Sequence, residues 1–243
     1  MQTKFTSFKV NSKLSITTIL LLLNVLVFAL QSLVPKLFTN LTLKSGTLLQ
    51  QPWTIFTSMF MHGSLSHLFF NMYALLIFGS LIEQLIGRER FLIVYLLSGI
   101  VAALSFDIYH QIMGTASSAV GASGAIMGIL GLTIMLLPKM RVAFFFVIPM
   151  SMRTAGIIFA LIDLFGMFNP TSGIAHIAHL GGLAVGLLAG YYFIKKKVGF
   201  QQKFNRTTVH HQRPQANVAD TNYDKAIELT QEDIDGYFKY GKL

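Results

Sequence analysis

Six stretches of this chain are too apolar to face water. They run from Ile16 to Val34, Leu65 to Ile86, Phe91 to Ile108, Gly124 to Leu137, Thr154 to Phe168 and Ile174 to Ile194. A helix needs about 20 apolar residues to cross a bilayer. Inside hydrocarbon the backbone must satisfy its own hydrogen bonds, so a lone apolar run of this kind is stable there only as a helix. Composition agrees. Of the 243 residues, 53% are hydrophobic and 12% charged, against roughly 25% charged in soluble domains. The expected fold class is all-α, a polytopic membrane protein with a bundle of six transmembrane helices.

The first run is read as retained. It is longer than the apolar core of a signal peptide, and Gln31-Ser32-Leu33 is no convincing cleavage site. Three parts follow: a cytoplasmic segment 1–14, a membrane domain 15–195 and a cytoplasmic tail 196–243. In the tail, 198–219 reads as a linker and Tyr223 to Phe238 as a possible short helix. Residues 35–63 read as a long interfacial loop, with Trp53 as its headgroup-level anchor. Val142 to Met150 is apolar, too short to span and broken by Pro149, so it reads as an interfacial connection with Arg153.

The net charge of +9 could suggest nucleic acid, but its placement argues for a membrane. Basic residues gather in the N-terminal segment, at Arg88 and Arg90, from Lys139 to Arg153 and at Lys195–Lys197. Loops 109–122 and 169–173 have no Lys or Arg. Alternation over six helices puts nearly all the basic sites on one side, and the positive-inside rule makes that side cytoplasmic. Lys36 and Lys44 in the first loop are the exception. Both termini are then cytoplasmic, most simply at the plasma membrane. The chain has no cysteine, which excludes disulfides, thiolate catalysis and Cys-based metal sites.

Polar groups in a bilayer are costly and need a reason. The fourth run opens on Gly121-Ala122-Ser123-Gly124 and continues to Gly128 and Gly131; the sixth carries His179 and then Gly182, Gly186 and Gly190. Small residues one turn apart let helices approach closely. If these two runs pack through their glycines, Ser123 and His179 meet near the outer end of both. A serine hydroxyl hydrogen-bonded to histidine is the minimal activated nucleophile. Asp163, on the fifth run, and Asp107, near the end of the third, are not suitably placed to complete a triad, so a Ser123–His179 dyad is expected. His67 and Asn71 share one face of the second run. With the Ser123 amide they could hold an oxyanion. Gly121 and Gly124 would free the backbone around the serine.

These motifs resemble the rhomboid family of intramembrane serine proteases. The matching residues are Gly121-Ala122-Ser123-Gly124, then His62-x4-His67-x3-Asn71, and Ala178-His179-Leu180-Gly181-Gly182-x3-Gly186. The likeness covers about residues 12–195. It implies a rhomboid-like bundle with Ser123 as nucleophile, His179 as general base, and His67, Asn71 and the Ser123 amide as oxyanion hole. It also implies cleavage of transmembrane segments of substrates near their outer end, substrate entry between the second and fifth helices, and no metal or cofactor. Glu83 matches a family glutamate read as structural. Many members have Trp-Arg in the first loop; here Trp53 precedes Thr54, so no role of that arginine carries over.

Other readings stand beside these. Ser123 could be a packing residue. His176, one turn before His179, is the rival base, but the Gly182 and Gly186 spacing favours His179 and leaves His176 at the outer rim. His62 reads as structural, fixing the first loop onto the second run. Asn71 could simply bridge helices. Asp163 could mark a proton path, or more plainly bond a neighbouring helix. His62, His67, His176 and His179 could hold a metal, but no carboxylate lies near them in sequence. A transporter and a catalytically silent membrane-protein binder are the rival functions. The expected partners are substrate helices and lipid, not nucleic acid.

Overall fold

The computed structural model describes residues 14–144, 147–169 and 172–196. The expectations for segment 1–13 and for the tail beyond Lys196 lie outside the described residues. All six apolar runs are helices. They are α1 (Ile16–Leu33), the helix Leu65–Ile86, α6 (Arg88–Ile112), α7 (Ser123–Leu136), α8 (Met152–Gly166) and α9 (His176–Lys195). Leu65–Ile86 is built from α4 (Leu65–Ala74), a π-helical stretch (Leu75–Gly79) and α5 (Ser80–Ile86). Four of the six are long and apolar enough to cross a membrane: α1, Leu65–Ile86, α6 and α9.

The two shorter helices differ in setting. α7 has 14 residues, and Gly124 through Thr133 are all buried. A short apolar helix of this kind is a core helix, sheathed by its neighbours. α8 has 15 residues, and Ile157, Leu161, Ile162, Leu164 and Phe165 are exposed along it.

Glycine sets how closely α7 and α9 approach. A Cβ added at Gly182 would strike the Gly124 carbonyl, and one at Gly186 the Gly128 carbonyl. On its other side α7 meets α6, where a Cβ at Gly128 would collide with Ser98. The expected glycine-faced pairing of the fourth and sixth runs is the central contact of the bundle.

Glu83 of α5 anchors α1. Its carboxylate accepts from the Ile16 and Thr17 amides at 2.7 and 2.8 Å and from the Thr17 hydroxyl at 2.8 Å. A helix N-terminus has unpaired N–H groups and a positive dipole end, and a carboxylate satisfies both.

The first loop is more ordered than a plain loop. It holds α2 (Pro35–Leu41), β1 (Leu43–Lys44), α3 (Thr54–Thr57) and a 3-10 turn (Ser58–Phe60). β1 pairs antiparallel with β2 (Ser118–Ala119), just before the serine helix. Asp107, at the end of α6, accepts from the Gly46 amide at 2.6 Å and so pins the same loop. Trp53 is half exposed and donates to the Asn40 carbonyl. The connection after α7 is a hairpin, β3 (Arg141–Phe144) with β4 (Ile148–Ser151). Pro149 lacks an N–H, and it sits within this two-stranded ribbon, where an edge tolerates it.

Candidate active site

Ser123 is the first residue of α7, after an Ala122 N-cap. Its amide therefore has no partner within the helix. The turn before it depends on Gly121, whose φ of +114° disfavours any side chain. The Gly121 amide donates to the Ser58 carbonyl at 2.9 Å, which ties the turn to the first loop.

His179 lies one turn into α9. Its Nε2 is 2.8 Å from the Ser123 hydroxyl. Its Nδ1 is 3.0 Å from Asp163 Oδ1, on α8. The same oxygen is 2.8 Å from Nδ1 of His176. His176 Nε2 in turn meets the Ser172 hydroxyl at 3.1 Å. One carboxylate oxygen thus takes two imidazoles. With an ionised carboxylate, which only accepts, and two neutral rings, the arrangement requires both Nδ1 atoms to carry the protons and leaves both Nε2 atoms as acceptors. That tautomer makes His179 the acceptor of the Ser123 proton. Asp163 and His176 are buried, while the His179 side chain is 18% exposed, as a group facing substrate must be.

On the other flank, His67 and Asn71 of α4 face the same turn. A Cβ at Gly121 would come within 2.8 Å of His67 Nε2 and 3.4 Å of Asn71 Nδ2. The Asn71 amide nitrogen is buried with no hydrogen-bond partner among the described residues. An unpaired buried donor costs about 1–3 kcal/mol and calls for a reason.

His62 lies before α4, outside the spanning helices, and is fully buried. Gln31 of α1 brackets its backbone, accepting from its amide and donating to its carbonyl. Its ring packs edge-on against His67. Burial, and then the neighbouring His67, push its pKa down to about 4. The anchorage runs chiefly to α1 rather than onto the second helix.

Comparison with known proteins agrees with this arrangement. A rhomboid domain model matches residues 49–196, more than half of the chain. The chain belongs to the rhomboid family. It is 37% identical over 133 residues to the presenilin-associated rhomboid-like protein, mitochondrial, of Bos taurus, a match covering 54% of this chain and 35% of that one. It is 32% identical over 199 residues to Rhomboid protein 1, mitochondrial, of Saccharomyces cerevisiae, covering 79% of this chain and 56% of that one. It is also 32% identical over 139 residues to the Rhomboid protease GluP of Bacillus subtilis, covering 56% of this chain and 25% of that one. The chain thus spans only part of the length of these curated relatives.

Within this rhomboid domain one expectation changes. By sequence Asp163, on another helix, is not suitably placed to complete a triad with Ser123. It in fact hydrogen-bonds His179, so the serine–histidine pair has a carboxylate behind it. His176, read from the sequence as structural or at the outer rim, is buried. It is 6% exposed, with its ring against Gly166, where a Cβ would collide with it. The plain reading of Asp163, a carboxylate bonded to a neighbouring helix, holds, with the addition that it serves both histidines.

Proposed function

We propose that this rhomboid is an intramembrane serine endopeptidase that cleaves transmembrane segments of substrate proteins near one face of the bilayer. The observation that carries this reading is the chain Ser123–His179–Asp163, with contacts of 2.8 and 3.0 Å. Ser123 Oγ attacks the scissile carbonyl while His179 Nε2 takes its proton. Asp163 holds the ring in the Nδ1–H tautomer and stabilises the imidazolium that forms. The oxyanion is received by the Ser123 amide, Asn71 Nδ2 and His67. The unpartnered Asn71 nitrogen supports this role, since it lacks an acceptor until an oxyanion arrives. One such donor is worth about 3–4 kcal/mol in the transition state. His179 then protonates the leaving amine, and water releases the acyl-enzyme. In this reading Gly121 and Gly124 keep the turn and helix start narrow, and Gly128, Gly182 and Gly186 hold the two catalytic helices together.

The distribution of basic residues supports a site at the outer face, with the plasma membrane as the simplest location. The names of the relatives point to mitochondria as well as to a bacterium. The experiment is cleavage of a single-span protein in liposomes by wild type and Ser123→Ala. Cleavage should vanish in the variant, and undiminished cleavage would overturn the reading. Labelling of Ser123 by a fluorophosphonate distinguishes an enzyme from a silent relative that only binds membrane proteins. Ion flux that survives Ser123→Ala would favour a transporter instead.

A further inference from the structure

Asp163, His176 and His179 offer one carboxylate oxygen and two imidazole nitrogens within 4.8 Å of one another. Two histidines and a carboxylate, with a fourth position left for water, are the donor set of a divalent transition metal such as zinc. The present spacings of 2.8 and 3.0 Å between each Nδ1 and Asp163 Oδ1 are close to what a metal would need. Ligand atoms about 2.0–2.2 Å from a tetrahedral zinc lie roughly 3.3 Å apart. The two nitrogen–oxygen gaps would open by a few tenths of an ångström, and Asp163 Oδ1 would step aside from the line of the two Nδ1 lone pairs so that the metal takes them. An outer shell stands ready as well: each Nε2 faces a serine hydroxyl, Ser123 for His179 and Ser172 for His176. Such partners fix the orientation of ligating imidazoles. A cavity of about 350 Å³ reaches one of the three ligands, bounded by Tyr109 and His110 of α6, Asn169, Ser172, and His176 itself. A sequence reading sets a metal aside for want of a nearby carboxylate. Asp163 supplies one in space.

We propose that Asp163, His176 and His179 bind a divalent transition metal of the zinc class, and that its binding switches off the Ser123–His179 pair. The inhibitory half rests on the protease reading; the binding half does not. The chemistry follows from the tautomers. A neutral imidazole carries one proton. When the metal takes the Nδ1 lone pair of His179, that proton resides on Nε2. Nε2 then donates to Ser123 and can no longer accept from it. His176 undergoes the same exchange and donates to Ser172. Asp163 remains an anion and moves from hydrogen-bond acceptor to ligand. No net proton is released and no redox step occurs. The metal removes the base by moving its proton to the wrong nitrogen.

The test uses the full chain in detergent, in a His210→Ala/His211→Ala background that removes two further histidines. Cobalt is added as a spectroscopic probe, and zinc binding is measured by equilibrium dialysis. One equivalent should bind with the visible absorption of a four-coordinate site. His176→Gln, which keeps a donor for Asp163 but removes a ligand, should weaken binding by more than about tenfold. Ser123→Ala, which removes one outer-shell partner and no ligand, should keep the four-coordinate cobalt absorption and weaken binding less than His176→Gln does. Fluorophosphonate labelling of the background protein should fall as zinc occupies the site and return with a chelator. No bound metal overturns the proposal, and so does binding that His176→Gln leaves unchanged. Bound metal with undiminished labelling overturns the inhibitory half. If the metal-free protein is never labelled, the protease reading fails, while cobalt binding still decides the metal site.

Discussion

Asp163 serves two imidazoles with one oxygen, and its neighbours show how sparingly this chain uses acid. Four acidic residues precede position 198, and three of them are buried with assigned work. Glu83 caps α1, Asp107 pins the first loop, and Asp163 orients His179. Replacing Asp163 by Asn keeps the shape but no longer fixes the His179 tautomer. Turnover in liposomes should fall by on the order of 10²–10⁴, with the thermal midpoint little changed. His62 gives a second prediction. Its pKa is held near 4, below the ordinary 6.5. The unfolded chain therefore takes up this proton first, so His62 costs stability as pH falls from about 6.5 to 4. The melting temperature in detergent should drop across that window, and His62→Gln should lessen the drop. Ser123, His179, His67 and Asn71 can be read from motif and helix spacing. Asp163 leaves a fainter trace. It lies eight residues before position 171 and His179 eight after. In a tight helical hairpin, residues equidistant from the turn share a depth. A search by adjacency within one helix passes over that relation.

The helices themselves were legible because hydrocarbon leaves so few alternatives, and boundaries differ by only a few residues from the apolar runs. The interhelix distance was legible too, since the glycine ladders state it directly. What the apolar pattern hides is the elements held by backbone bonding in loops. The β1–β2 pairing joins residues about 75 apart, and the β3–β4 hairpin follows no alternation of polar and apolar residues. A third prediction belongs to the α7–α9 contact. Gly186→Leu drives a side chain into the Gly128 carbonyl. Overpacking costs about 1–3 kcal/mol where side chains can yield, and more against backbone. Activity should be lost through separation of Ser123 from His179, with a melting temperature lowered by several degrees. The same change at Gly173, a turn glycine with open space around it but φ of +66°, should disturb only its own loop and leave the melting temperature closer to wild type.

For the whole molecule, the lack of cysteine makes topology directly measurable. A single cysteine at Ser172 and one at Lys139 should react with an impermeant maleimide from opposite sides of oriented vesicles. Labelling of both from the same side would overturn the six-crossing topology. A wider consequence comes from α8. It is 15 residues long, or about 22 Å at 1.5 Å per residue, against a hydrocarbon core of roughly 30 Å. Unlike α7 it presents a row of apolar side chains outward. Lipid beside it must shorten, or the helix must shift, at a cost of fractions of a kcal/mol per ångström of mismatch. Because α8 carries Asp163, that cost falls on the element that sets the histidine tautomer. Acyl-chain length is thereby a control variable for this protein. Turnover should change between thin and thick bilayers of one headgroup, and Asp163→Asn should respond much less.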